Sequence, residues 1–242
     1  FNITAQPKHL VIIGTGPIGC ELGQSFARFG TKVTMITRSN QVTPKEDPDA
    51  AAYLQESLFE DGVTVYFKTE PTKIKVLNHP GKVWGPEAEF EMELEYDGKT
   101  ETITGDAILI AAGRRPNVHG VGLEEAGIEF DDRTGIKVDD YCKTTNKNVY
   151  AVGDVCSPYQ FTHNSDHMAR NMVRNALFFG KEKTSNLIMS WATFTDPEIA
   201  HVGKYPRDMD DEGVEYETYK YDLGHNDRAI CDGVKGLIKI HC

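Results

Sequence analysis

Residues 8–30 read KHLVIIGTGPIGCELGQSFARFG. Lys8–Ile13 is a short apolar run of strand length, and Pro17–Phe29 carries Ile18, Leu22, Phe26 and Phe29 at helical spacing. Between them Gly14-Thr15-Gly16-Pro17-Ile18-Gly19 fits the pattern GxGxxG. Each glycine has a physical task there. Gly14 permits the tight turn off the strand, Gly16 lets backbone approach a pyrophosphate, and Gly19 lets the helix lie close on the sheet. The free N–H groups and the dipole of the helix then favour an anion. A lone GxGxxG also occurs as a glycine-rich turn in other α/β proteins. Here a strand precedes it and a helix follows, which is the context a dinucleotide site requires. Thr15, Pro17 and Ile18 complete the loop and join the three glycines as candidate cofactor contacts.

The neighbouring residues extend the unit. Lys32–Thr37 reads as a second strand, Asp47–Glu60 as a helix capped by Asp47 with Pro48 in its first turn, and Val63–Phe67 as a third strand. The order β-α-β-α-β predicts a parallel sheet. The end of the second strand selects the nucleotide. An acid there would accept from the ribose 2′-hydroxyl of NAD(H), whereas Thr37 is followed here by Arg38, with Lys45 nearby. A cation suits a 2′-phosphate, so NADP(H) is expected ahead of NAD(H). The other reading of Arg38 is a solvated surface charge.

Beyond residue 70 the pattern changes. Thr72–Leu77, Glu89–Tyr96 and Thr100–Thr104 predict an antiparallel meander with Asp97-Gly98 as a hairpin turn. Asp106–Ala111 predicts a strand running into Ala112-Gly113, and Asn148–Val152 another ending at Gly153-Asp154. His163–Phe179 predicts a helix stopped by Gly180. From Trp191 onward the chain reads as β-rich, with strands at Ser190–Phe194, Ile199–Gly203 and Gly236–His241.

The 242 residues carry a formal net charge of -11 without a basic block, which argues against nucleic-acid and anionic-membrane partners. The longest apolar run, Ala107–Ala112, is far short of the ~20 residues of a membrane span. Cys20, Cys142, Cys156, Cys231 and Cys242 show neither a CxxC pair nor zinc-ligand spacing, so reduced thiols are expected. No signal peptide is read, and a cytoplasmic location is the default expectation. The chain opens on Phe1 rather than methionine, so a preceding segment is expected and an organelle stays open.

Four phrases together resemble the FAD-dependent pyridine nucleotide–disulfide oxidoreductases. They are Gly14–Gly30, Ile108–Asn117 (ILIAAGRRPN), Asn148–Val155 (NVYAVGDV) and Trp191–Gly203 (WATFTDPEIAHVG). The family resembled includes dihydrolipoamide dehydrogenase-like and mercuric reductase-like members, and the wording at Phe161–Gly180 and Asp227–Gly233 is similar to the mercuric reductase-like ones. The resemblance implies an α/β fold in three parts. These are a Rossmann-like NAD(P)-binding domain with its meander over 1–111, the C-terminal part of an FAD-binding domain over 112–187, and the beginning of a dimerisation domain over 188–242. It also implies a central piece of a longer enzyme, since the family's redox cysteine pair and C-terminal His–Glu dyad are not in the chain. Catalytic residues are therefore not assigned.

Further roles follow from the resemblance alone. Glu21 matches a glutamate near the nicotinamide and the flavin; otherwise it is a favourable charge at a helix start. Gly113 matches a glycine at a domain crossing where backbone approaches a nucleotide, or is a plain turn glycine. Gly153 and Asp154 match the phrase whose aspartate accepts from the flavin ribityl chain, against a turn aspartate. Gln160, Phe161, Thr162 and His163 match a helix start facing the flavin pyrimidine, where the dipole would stabilise reduced flavin. His163 and His167 have metal-ligand spacing without a third ligand, and no metal is expected. Cys20 reads as a small packing residue, and no cysteine has a resolving partner. Trp191, Phe194 and Pro197 are expected in the interface sheet.

The resemblance implies an enzyme that passes hydride from NADPH or NADH to FAD and on to a thiol-linked, disulfide or metal-ion acceptor, and that forms a homodimer at full length. The chain alone is expected to bind NADP(H) and to hold FAD weakly. Two rivals stand beside it: a flavin oxidase or transhydrogenase without disulfide chemistry, and a nucleotide-binding module without turnover.

Overall fold

The computed structural model describes residues 3–79 and 88–242. The chain divides into two compact units, 1–113 with 192–242, and 114–191.

The first unit opens with the expected Rossmann elements. They are β1 (His9–Ile13), α1 (Pro17–Arg28), β2 (Lys32–Ile36), α2 (Pro48–Glu60) and β3 (Thr64–Tyr66). The meander follows as β4 (Glu70–Asn78), β5 (Glu89–Tyr96) and β6 (Lys99–Gly105), and the chain returns to the first sheet as β7 (Ala107–Ile110). The parallel sheet has the order β3-β2-β1-β7. Its register pairs Val11 with Thr34 and with Ile108. The ladder runs one residue past each strand, with Gly14 N–H donating to Ile36 O and Ala111 N–H to Ile13 O, both at 2.8 Å. Asp47 caps α2 through the Asp49 N–H, as its position before Pro48 predicts. Asp97 and Gly98 take φ of 50° and 70°, the left-handed pair that a tight hairpin needs.

Two layers of core sandwich the sheet. Leu10, Ile12, Val33 and Met35 face α1 and α2 through Cys20, Leu54 and Leu58. Val11 and Ile36 face the meander through Phe90, Met92 and Leu94. Strands buried on both faces read as continuous apolar runs, which is why KHLVII and KVTMI do not alternate.

The buried face of α1 differs from the expected one. Ile18 and Phe29 are exposed, at 38% and 72%, while Gly19, Cys20, Gly23 and Gln24 are buried. The helix lies too close to the sheet for large side chains. A Cβ on Gly19 would stand 2.2 Å from Gly14 O, and one on Gly23 would stand 3.1 Å from Ile12 Cδ1.

The second unit holds β8 (Phe130–Asp131), β9 (Gly135–Ile136), a 3-10 turn at Gly153–Val155 and α3 (Thr162–Leu177). The strand expected at Asn148–Val152 does not form. Its backbone groups go to the turn before it, with Val149 N–H donating to Asn146 O and Ala151 N–H to Cys142 O. Only an isolated bridge, Lys143 to Tyr150, results. Nor does Gly180 stop α3. Phe179 takes the left-handed conformation with φ 57°, and the Phe178 and Gly180 N–H groups close on Arg174 O.

The second boundary falls within β10 (Ser190–Thr193), which pairs with β11 (Ile199–Val202). Then come α4 (Pro206–Glu212), β12 (Thr218–Asp222), α5 (Asp227–Asp232) and β13 (Leu237–His241). The expected strands are present, but two short helices interrupt a stretch read as β-rich. β12 and β13 pair antiparallel, Tyr219 opposite Ile240. Among the described residues no helix is long and apolar enough to cross a membrane.

Candidate functional site: two helix starts left uncapped

The glycine loop sits at the carboxyl edge of the parallel sheet, where a Rossmann unit binds its ligand. Gly14 has φ 108°, and a Cβ there would lie 2.4 Å from Ala111 O. Only glycine fits. Gly16 is the opposite case. Its φ of -72° suits any residue, and a Cβ built on it meets no protein atom within 4 Å. The sequence has left this position empty without any demand from the fold.

The start of α1 is equally bare. No side chain caps it and no acid lies in its first turn, while Pro17 removes one of its orphan donors. Helices α2, α4 and α5 contrast with it. Asp47 and Asn226 cap α2 and α5. Asp208 Oδ2 accepts from the Tyr205 N–H at the start of α4. Asp49, Asp208 and Asp227 place acids in those first turns. Behind the loop, the hydroxyls of Thr15 and Thr43 are buried without a partner among the described residues. The two residues are joined by Thr43 N–H donating to Thr15 O at 2.7 Å. Open space over Gly16, free helix N–H groups and orphaned hydroxyls fit a pyrophosphate.

Other side chains around α1 are engaged with the segment from residue 192. Glu21 Oε1 accepts from Phe194 N–H at 2.9 Å. Gln24, 3% exposed, grips both sides of Asp196: its Oε1 accepts from Asp196 N–H and its Nε2 donates to Asp196 O, each at 2.8 Å. Tyr205 donates its phenol to the buried carboxylate of Glu46, under the Arg207 guanidinium and against the His201 ring. Burial, then the Glu46 carboxylate, push the Tyr205 phenol up from its ordinary pKa. Cys20 donates to Thr15 O, and burial pushes its thiol up to about 12, so it packs as a neutral group.

Arg38 follows β2 on the surface, its Nε 3.4 Å from Glu70 Oε1, with side chains 80% and 64% exposed. Lys45 is exposed, as is Gly113 with φ 133°.

The second unit brings its own candidates together. Gly153 has φ 77° and stands against the first turn of α3, where a Cβ would be 2.5 Å from Ser165 Oγ. Asp154 is exposed, its carboxylate 3.4 Å from the Ser165 hydroxyl. The start of α3 after Phe161 lacks both a side-chain cap and an acid in its first turn. Arg114 donates to Gln160 O at 2.8 Å. Phe161 stacks between His163 and Trp191, with centroids 5.4 and 5.9 Å away. His163 Nε2 lies 2.7 Å from Ser190 O, and His167 Nε2 lies 3.0 Å from Asn171 Nδ2, so the two rings turn to separate partners. An exposed carboxylate beside a bare helix start fits the sugar-like chain and the ring edge of a flavin.

Residues 1–172 match the family described as pyridine nucleotide-disulphide oxidoreductase. The chain belongs to that family. Residues 189–242 match its dimerisation domain. The chain is 31% identical over 243 residues to the dihydrolipoyl dehydrogenase of Geobacillus stearothermophilus, covering 99% of this chain and 49% of that protein. It is 32% identical over 230 residues to the mercuric reductase of Bacillus cereus, covering 95% and 35%. Among solved structures it superposes on the HOCl-induced flavoprotein disulfide reductase RclA of Escherichia coli with a TM-score of 0.83 at 28% identity, covering 99% and 53%. On LpdA of Mycobacterium tuberculosis the TM-score is 0.84 at 27% identity, covering 100% and 50%. The chain spans about half the length of the dehydrogenases it matches, and less of the mercuric reductase.

Gln24, Glu46, Glu70, Asn164 and Tyr205 lay outside the sequence reading. The partners of Gln24 and Tyr205 are distant in the chain, 172 and 159 residues away, and no local spacing marks such pairs, whereas Asn164 bonds close by, to Ser157 and Tyr159.

Proposed function

We propose that the chain is part of a flavoprotein oxidoreductase that passes hydride from NAD(P)H to FAD and onward to a disulfide, thiol-linked or metal-ion acceptor. Bound FAD would supply the two-electron chemistry. The chain's own residues bind, orient and stabilise charge. Gly14, Thr15, Gly16, Pro17, Ile18 and Gly19 hold the nicotinamide dinucleotide, with the α1 N–H groups on its pyrophosphate. Glu21 steadies the segment at Phe194 beside that helix. Arg38 favours a 2′-phosphate and hence NADP(H). Gly113 lets backbone approach the nucleotide. Gly153 and Asp154 take the ribityl chain, and the helix start at Gln160, Phe161, Thr162 and His163 takes the flavin ring edge.

We assign residues 1–111 to the NAD(P) domain, 112–187 to part of the FAD domain and 188–242 to the start of a dimerisation domain, in a homodimer when full length. The observation that carries the proposal is the α1 start: uncapped, acid-free and open over Gly16. The test is anaerobic mixing of the full-length protein with NADPH. The expected result is bleaching of the visible flavin band, and its return on adding a disulfide acceptor. A protein whose flavin stays oxidised under excess NADPH and NADH contradicts the proposal.

A further inference from the structure

We infer that Glu70 is a nucleotide-specificity residue that opposes Arg38 and moderates the preference for a 2′-phosphate. The inference rests on Arg38 lying at the ribose end of the dinucleotide.

Backbone bonds fix the two side chains as neighbours. Thr37 N–H donates to Tyr66 O at 2.9 Å, Lys68 N–H to Ser39 O at 3.0 Å and Thr69 N–H to Thr37 O at 2.9 Å. Lys68 takes φ 51° to turn the chain, and buried Thr69 locks the turn by donating its hydroxyl to Phe67 O at 2.7 Å. Residues 67–70 are thereby laid along 37–39. Glu70 then opens β4, beside the edge of β2 where Arg38 emerges.

The meander explains why Glu70 needs a cation. Its acids face lysines at two positions, Lys73 with Glu93 at 3.5 Å and Lys75 with Glu91 at 3.8 Å. At the first position the register sets Glu70 opposite Glu95, a like-charge pair. Arg38 supplies the positive charge there, with Nε 3.4 Å from Glu70 Oε1. Both side chains are well exposed, so the pair is loose and screened, and Arg38 is free to turn toward a dianion. The two residues pull in opposite directions. A guanidinium favours a phosphate, whereas a carboxylate repels it and accepts from a 2′-hydroxyl. A site carrying both discriminates weakly and takes NADPH and NADH.

The test is calorimetric titration of the full-length protein with 2′,5′-ADP and with 5′-AMP, in the wild type, Glu70→Gln and Arg38→Gln. Both substitutions are on exposed side chains, and a thermal melt checks the fold. Glu70→Gln should tighten 2′,5′-ADP about threefold at low ionic strength, from one unit charge acting on a dianion through water. It should leave 5′-AMP unchanged or weaker, and the gain should fade at high salt. Arg38→Gln should weaken 2′,5′-ADP and spare 5′-AMP. If Arg38→Gln shifts the ratio of the two dissociation constants while Glu70→Gln does not, the role of Glu70 is overturned and that of Arg38 stands. If neither shifts it, the reading of Arg38 as the 2′-phosphate contact falls with it.

Discussion

Two turns in this molecule share a plan and differ in how they are held. Each has a left-handed glycine, Gly14 or Gly153, at a helix start with neither side-chain cap nor acid. Around Gly14 the backbone of Ala111 and Ala112 crowds the turn. Backbone stands 2.4 Å from the missing Cβ, the sheet below is buried on both faces, and the turn opens over Gly16. Around Gly153 the nearest atom to a missing Cβ is a side-chain hydroxyl, and Asp154, Thr162 and His163 are exposed. The first turn leaves a gap over Gly16 that, on the function proposed above, takes a pyrophosphate. The second presents polar groups and aromatic rings outward. On that proposal, a helix start is kept for a ligand by withholding the Asp and Asn caps given to α2 and α5.

Substitutions break or sharpen this contrast. Gly14→Ala should have the largest effect. It forces a side chain into φ 108° and against Ala111 O, and should cost about 4 kcal/mol, read as a collapse of the denaturation midpoint. Next come the buried amides behind each turn. Gln24→Ala leaves the Asp196 N–H without its partner and Asp196 O with the Ser57 hydroxyl alone, and should cost about 2 kcal/mol. Asn164→Ala removes the donor to Tyr159 O and leaves the Ser157 hydroxyl with the Tyr159 N–H alone, in the second unit, and should cost about 1 kcal/mol. Gly153→Ala should cost about 1–2 kcal/mol, because Ser165 can rotate away where Ala111 O cannot. An equal loss for Gly14→Ala and Gly153→Ala would erase the contrast.

The smallest effect concerns pH and touches only the first unit. Burial, then the Lys32 charge, hold His9 below the ordinary imidazole range, with its ring on the Thr34 hydroxyl at 2.8 Å. Above the ordinary value both folded and unfolded His9 are neutral. Between that value and the lower folded one, the unfolded state binds the extra proton, so stability falls as the solution is acidified. Chemical denaturation from pH 7.5 down to 5.5 should show this slope, and His9→Gln should reduce it.

Much of the first turn was legible in the sequence because its signals are local. Gly14, Gly16 and Gly19 follow a strand and open a helix within a dozen residues, Asp47-Pro48 marks the start of α2, and Asp97-Gly98 marks a hairpin. The failures are where non-local packing decides. Ile18 and Phe29 fit a helical stripe, yet the helix approaches the sheet through Gly19 and Gly23 and leaves them outside. Asn148–Val152 has strand composition but bonds to its own preceding turn. The companions of the site, Gln24 with Asp196, Tyr205 with Glu46 and Arg38 with Glu70, are set by tertiary contacts that no spacing encodes.

Gly16 offers the most direct test of the central claim, that α1 starts at a gap kept for a dinucleotide. The measurement is the NADPH dissociation constant of Gly16→Ala beside its melting temperature. A Cβ at Gly16 touches no protein atom and meets no φ strain, so the melting temperature should stay within a degree or so, a change of about 0.5 kcal/mol or less. The dissociation constant should rise about tenfold or more, because the added methyl stands where the pyrophosphate must approach. Unchanged NADPH affinity in the stable variant would contradict the account.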